Sequence, residues 1–323
     1  MRLDEPTPPE LETIERDTAS VWAHGLSVDE YAAREVALFA HPWARGALRK
    51  RVLRERTGGP VLASFDALET ECAAGRALTI ASVFVEPALR GRDHARTMLE
   101  LALAEAAADG VVLAVLFSDI GFRFYERLGF GGGPASYAWF DARGAAPPAP
   151  PAAGAGPPLE PVALADLGAA VEAVRAFRAS LARDVTMLPT AGLLGWHLER
   201  FRFFARLRGA PWPRTLGLRA PSGALALFAP NARDRTLEVF SLVARDPRDA
   251  RALLLGALAA ARVAALARVV VWLGPDHPDP GPDLRPARTA CAFAMARPLA
   301  PLRPSPAAIA GLTFAPFERI DWA

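Results

Sequence analysis

Residues 82–103, SVFVEPALRGRDHARTMLELAL, carry the pattern in this chain that is richest in usable chemistry. An apolar run ends at Pro87, a short loop holds Arg90, Gly91 and Arg92, and the stretch from His94 to Asp109 places Met98, Leu99, Ala102, Leu103 and Ala106 at helical spacing. A strand that feeds an Arg/Gly loop into a helix start makes a phosphate site. First-turn amides have no intrahelical partners, and the helix dipole favours an anion there. Gly91 allows a close backbone approach that a side chain would obstruct. The plainer alternative is an ordinary strand-to-helix connection with two solvated arginines. Asp93 suits that alternative, because aspartate is a strong N-cap whose carboxylate satisfies first-turn amides.

The surrounding pattern supplies the elements that must hold such a loop. Val28–Phe39 reads as a helix behind the N-cap Ser27, stopping before His41 and Pro42. Gly59 and Pro60 precede the strand VLASFDALETEC, and Gly75 and Arg76 turn the chain into an antiparallel LTIASVFVEP. After the helix from His94, Gly110 leads to VVLAVLF, a buried parallel strand, and GFRFYERLGF gives a short helix ending at Gly129. The stretch 144–161, GAAPPAPPAAGAGPPLEP, has no periodicity to bury and reads as a linker between two domains, 1–143 and 162–323. Beyond it, helices are expected over 167–183 and 193–208, and a hairpin turning at Pro221–Gly223. The strand TLEVFSLVARD, a helix over 248–266 and the strand RVVVWLG follow. That second strand, helix, strand order echoes residues 78–117 and implies a diverged internal duplication. The echo lacks the loop chemistry: in VARDPRDARALL, Asp246, Pro247 and Asp249 stand where an anion needs amides and glycine. Pro275–Pro286 reads as an exposed loop, FERIDWA as a short returning strand, and the aromatics Trp196, Phe201, Phe203, Phe204 and Trp212 as core packing.

Arg90-Gly91-Arg92-Asp93-His94-Ala95 resembles the pyrophosphate loop Arg/Gln-x-x-Gly-x-Gly/Ala of the GNAT superfamily of acyl-CoA-dependent N-acyltransferases. SVFVEP is similar to the family's splayed strand, and LFSDIGFRFYERLGF to its downstream strand and Phe-Tyr-containing helix, so the resemblance covers roughly residues 8–142. SVFVEPALRGR, SDIG and FYERLGF, with a second divergent domain behind them, are most similar to the fungal lysine N-acetyltransferase branch. The resemblance implies an α/β fold: a GNAT-like mixed sheet flanked by helices, then a second, degenerate GNAT-like α/β domain. It implies acetyl transfer from acetyl-CoA to a primary amine of a small molecule, with a free amino acid such as lysine one candidate acceptor, through direct attack on the thioester without a covalent enzyme intermediate. Val83, Phe84 and Val85 then hold the donor through backbone groups, with Arg90, Gly91, Arg92, Asp93, His94 and Ala95 around its diphosphate. Ser118 stands where many relatives carry Asn beside the donor. Tyr125 occupies the family's acid position, where its hydroxyl protonates the departing thiolate. Glu69, Glu71, Glu86 and Asp119 are carboxylates on or next to the central strands, and Glu71 and Asp119 are the expected bases. His94 is expected at the surface. Asp93 departs from the family's Gly and sets a carboxylate beside the diphosphate, which raises the alternative of a non-catalytic acyl-CoA-binding or interaction protein.

Composition excludes other classes. Over 323 residues, 52% hydrophobic and 22% charged residues support a sizeable core in two domains. The 37 basic and 35 acidic residues leave a formal charge of +2, with no field directed at nucleic acid. The sole lysine is Lys50. Two cysteines, Cys72 and Cys291, far apart in an otherwise cysteine-poor chain, argue against a disulfide framework and read as buried thiols, and the five histidines show no metal-ligand spacing, so no metal is expected. The tract from Ala252 to Leu273 is broken by Arg262 and Arg268 and fails as a membrane span, and the acidic, Pro-containing N-terminus has no leader-like apolar core. The expectation is a cytoplasmic protein without nucleic-acid or membrane partners; oligomeric state is left open.

Overall fold

The computed structural model describes all residues except 133–135, 144–157, 275, 283, 292–293, 301–312, 316–317 and 322–323. The chain divides into two compact units, Met1–Gly132 with a return segment starting at Met295, and Gly133–Ala294 with a segment starting at Thr313. Most of the stretch read as a linker, 144–157, lies outside the described residues.

The first unit opens with β1 (Arg2–Asp4), α1 (Pro8–Trp22), α2 (Val28–Phe39), α3 (Pro42–Ala47) and β2 (Leu48–Arg54). The acidic N-terminal stretch is thus helical: Pro8 sits in the first turn, where it costs no hydrogen bond, and the Glu10 carboxylate accepts from the Thr7 amide at 2.8 Å. Helix α2 has the predicted bounds, with Ser27 and Glu30 in a reciprocal capping box. The unit continues through β3 (Ala63–Cys72), β4 (Gly75–Val85), α4 (His94–Ala108), β5 (Leu113–Phe117), α5 (Arg123–Glu126) and β6 (Gly131–Gly132). Its sheet has the order β1-β2-β3-β4-β5-β14-β6, where β14 (Ala294–Pro298) comes from the return segment. Strands β3 and β4 are antiparallel and β4 and β5 parallel, as the spacing predicts. Phe65, Ile80 and Leu116 from the sheet pack on Met98, Leu99 and Leu103 of α4.

The second unit contains β7 (Ser136–Asp141), β8 (Glu160–Ala163), α6 (Leu167–Ser180), α7 (Ala191–Leu207), β9 (Thr215–Arg219), β10 (Leu225–Asn231), β11 (Thr236–Val243), α8 (Pro247–Val263), β12 (Arg268–Leu273) and β13 (Arg288–Cys291). Its sheet runs β13-β7-β12-β11-β10-β9-β8. Each sheet therefore takes in a strand that its own half of the sequence does not provide: β7, which precedes the Pro/Ala/Gly stretch, pairs with β12, and β14, which follows it, joins the first sheet. One face of the second sheet packs on Leu253, Leu254, Ala257 and Leu258 of α8, the other on α6 and α7. Trp196, Phe201 and Phe204 are buried, in keeping with a core role. Arg319–Asp321, within the expected terminal strand, instead forms a 3-10 turn. The Pro275–Pro286 loop is less exposed than expected, since Leu284 is buried.

Candidate functional site

The parallel pairing of β4 with β5 ends at Ile80 opposite Leu116, yet β4 runs on to Val85. At the same point the β3–β4 register slips between Ser64 and Asp66, and Ser82 takes a left-handed backbone with φ +49°. This bulge turns β4 away from β5 and leaves one side of Ser82–Val85 without a strand partner in the described residues. Val83 and Val85 are half-buried there and Phe84 is buried against Trp22, ring centroids 6.1 Å apart. An extended ligand can pair with that backbone as an added strand would.

Past β4, Pro87–Leu89 forms a single 3-10 turn, and the Arg90 Nε donates to the Val85 carbonyl at 3.1 Å, tying the loop to the strand end. Gly91 has φ +76°, with nothing within 4 Å of where a Cβ would stand. Asp93 itself lies in the left-handed region, φ +58° and ψ +15°, and its side chain makes no cap hydrogen bond. The expectation that its carboxylate occupies the first-turn amides is thus corrected: αL geometry at the N-cap is not the extended conformation from which an aspartate bonds forward. The amides of His94, Ala95 and Arg96 stay available, since the first intrahelical donor is Thr97, bonding to the Asp93 carbonyl at 2.9 Å. His94 is also corrected. It is buried, not at the surface, and its Nδ1 is a buried polar atom without a partner at this turn. Arg92 is exposed beside it, and Arg96 is engaged by Glu100 at 2.8 Å. Two left-handed residues, free first-turn amides and an orphaned ring nitrogen fit a bound diphosphate.

Beyond β5, the Ser118 hydroxyl donates to the Gly121 carbonyl at 2.7 Å and accepts from the Ile120 amide at 3.2 Å, so this side chain shapes the turn. Tyr125 is buried, packed edge-on against Phe124 and Phe130. Burial, with the Asp119 charge adding to it, pushes its hydroxyl up to about 12, so the group is a proton donor at neutral pH. Asp119 is exposed on the same turn. Glu86 is exposed at the end of β4, whereas Glu69 is held by Arg76 at 2.9 Å. Glu71 stands opposite Arg76 near the β3–β4 hairpin, roughly 20 Å along the strand from Ser82, and the structure does not bring it to the opening.

Sequence reasoning missed a buried ionic group next to the bulge. The Lys50 ammonium lies 2.9 Å from Glu15 and 2.7 Å from Asp66, all three buried, and Asp66 is the register partner of Ala81. Burial raises the Glu15 carboxyl to about 7; Lys50 pulls it down, while Asp66 and Glu35 push it further up. The available signal was a single lysine, in a chain otherwise built with arginine, two residues from each of Leu48 and Val52 in a strand.

The second unit repeats the geometry without the opening. β11 pairs in parallel with β12 only as far as Val239–Val271, and the β10–β11 register slips between Leu227 and Phe228. At the start of α8 the Asp246 carboxylate accepts from the Arg248 amide at 2.7 Å, and Pro247 lacks a donor.

Residues 61–133 match the model of a family described as an acetyltransferase (GNAT) domain. None of the curated proteins compared with the chain matches it. Among solved structures, a GCN5-related N-acetyltransferase from Kribbella flavida is 19% identical, with 92% of this chain and 72% of that one covered at a TM-score of 0.60. The corresponding protein from Anabaena variabilis is 14% identical, covering 93% and 73% at 0.61. One from Sphaerobacter thermophilus is 17% identical, covering 93% and 96% at 0.55. At these identities the likeness is one of fold: the chain is a mixed α/β protein built as a GNAT-like sheet flanked by helices, followed by a second GNAT-like unit. Among the described residues no helix is long and apolar enough to cross a membrane, and no three His, Cys, Asp or Glu side chains are grouped to hold a metal.

Proposed function

We propose that this protein transfers an acetyl group from acetyl-CoA to the primary amine of a small molecule by direct attack, with a free amino acid such as lysine the first acceptor to test. The observation that carries this reading is the parting of β4 from β5 after Ile80, directly ahead of a turn whose helix amides are not capped by Asp93. The donor supplies an activated thioester. Backbone groups of Val83, Phe84 and Val85 align it along β4, and the Arg90–Ala95 turn, with Gly91, Arg92 and His94, receives its diphosphate. Ser118 holds the turn that carries Asp119 and leads to Tyr125. Tyr125 keeps its proton until the thiolate departs, then delivers it. Asp119 takes the amine proton through water, Glu71 being too far along its strand to do so. The test is thiol release from acetyl-CoA against a panel of primary amines. Turnover with one class of amine supports transfer; donor binding without turnover across the panel favours an acyl-CoA-binding protein.

A further inference from the structure

The place in the second unit that corresponds to the opening beside β4 is filled by the chain itself. Beyond Val239, the side of β11 that faced β12 meets the 3-10 turn Arg319–Asp321, and the residue before that turn, Glu318, sends its carboxylate to the strand. Its Oε1 accepts from the Leu242 amide at 2.6 Å, and its Oε2 from the Ser241 hydroxyl at 2.5 Å and the Arg178 guanidinium at 2.6 Å. His277 completes the set. Its Nδ1 accepts from the Gly274 amide at 2.8 Å, which leaves the proton on Nε2, 3.2 Å from Oε1. Two donors to each oxygen use the full capacity of a carboxylate. Arg178, Ser241 and Glu318 are all buried, and Arg178 also holds Asp321 at 2.6 Å. Burial raises the Glu318 carboxyl, but Arg178, His277 and the Leu242 amide outweigh it and hold the group at about 2, ionised at any ordinary pH.

Counting on from the last parallel pairs, Ile80 and Val239, sets Ser241 against Ser82 and Leu242 against Val83. The amide that Glu318 occupies is therefore the counterpart of one in the donor-facing stretch of β4. We propose that the end of β11 is a carboxylate-binding site, specific for a short-chain carboxylate, which the protein fills with its own Glu318, so that the second unit is closed at the place where the first is open. Only the comparison with β4 rests on the proposed function; the site in the second unit stands on its own contacts.

Residue-resolved hydrogen exchange on the wild-type chain reads the occupancy directly. The Leu242 amide is expected to be protected in the ligand-free protein and unchanged by acetyl-CoA, whereas amides of Ser82–Val85 gain protection only when acetyl-CoA is added. Glu318→Ala should lower Tm by roughly 10 °C, because it strands Arg178 in the interior. Sodium propionate should restore part of that loss with a saturable dose response, where sodium chloride at equal ionic strength does not. Glu318→Gln, which keeps the side-chain volume, should fold with a smaller loss and retain Leu242 protection. Free exchange at Leu242 in the wild type, or propionate no better than chloride on Glu318→Ala, overturns the proposal. If Glu318→Ala does not fold, unprotected Leu242 in Glu318→Gln overturns it and protected Leu242 sustains it. Silence at Ser82–Val85 with acetyl-CoA, alongside a protected Leu242, counts against the donor site in the first unit and leaves the carboxylate site intact.

Discussion

Replacing Asp93 by Gly separates two effects that share one residue. The backbone there is left-handed, φ +58° and ψ +15°, and the side chain is exposed and caps nothing. Relief of the left-handed strain is worth about 1 kcal/mol for an L-residue, less for Asp, and the extra freedom of Gly in the unfolded chain costs about 0.5–1 kcal/mol. These nearly cancel, so Tm should move by no more than about 2 °C. The electrostatic effect does not cancel. A phosphate seated on the first-turn amides lies about 6 Å from this carboxylate, where one charge pair in a water-like medium interacts by about 0.7 kcal/mol. Two phosphate charges double that, and salt near 0.1 M removes about half, leaving about 0.7 kcal/mol, or a threefold tighter Kd for CoA. Calorimetric titration of both proteins at low and high salt measures it. The gain should exceed threefold at low salt and vanish near 1 M. A mutant that binds no better at low salt, or loses many degrees in Tm, would show that Asp93 holds the loop rather than repelling the ligand.

Tyr125→Phe should lower kcat about 100-fold while Kd for CoA and Tm stay put, since only a buried hydroxyl is removed; an unchanged kcat under chemistry-limited conditions removes Tyr125 from the mechanism. Titration should give one CoA per chain, weakened severalfold by Arg90→Ala or Arg92→Ala, because α8 begins on Asp246 and Pro247 in place of free amides; two equivalent sites would refute this. Glu15 has a folded value of about 7 against 4.5 unfolded, so the folded state binds an extra proton between those limits, and the stability this adds is complete below pH 4.5 and lost as pH rises through 7. Glu15→Gln should therefore gain on wild type by about 5 °C in Tm between pH 5 and 8; a difference that is flat with pH would deny the burial of that charge.

Local pattern was enough wherever an element is held by its own caps and one apolar face. Helix α2 behind Ser27, α4 behind the Arg/Gly loop, the β9–β10 hairpin around Pro221–Gly223 and β12 all lie where spacing puts them, within a few residues. What could not be read depends on distant partners. β2, LRKRVLR, looks like a solvated basic run until Glu15 and Asp66 are brought to Lys50 and Glu10 to Arg54. The same limit hid the exchange of β7 and β14, because a short strand carries no label for the sheet it joins. At the site, the loop and Tyr125 were visible as a motif. The left-handed backbone at Asp93, the burial of His94 and the remoteness of Glu71 are matters of register and φ that no residue type announces.

The traded strands impose an order on synthesis. As the chain leaves the ribosome, β5 appears early, but the strand that covers its free edge, β14, follows β7–β13 of the second unit in sequence. Until Pro298 has emerged, the edge of a strand with four buried residues, Leu113–Leu116, stays without its neighbour. The first unit cannot complete its sheet until β7–β13 of the second have been made, while the second still awaits its own segment from Thr313, and a nascent chain stalled at the Pro/Ala/Gly stretch would present a sticky edge to chaperones or to another copy of itself.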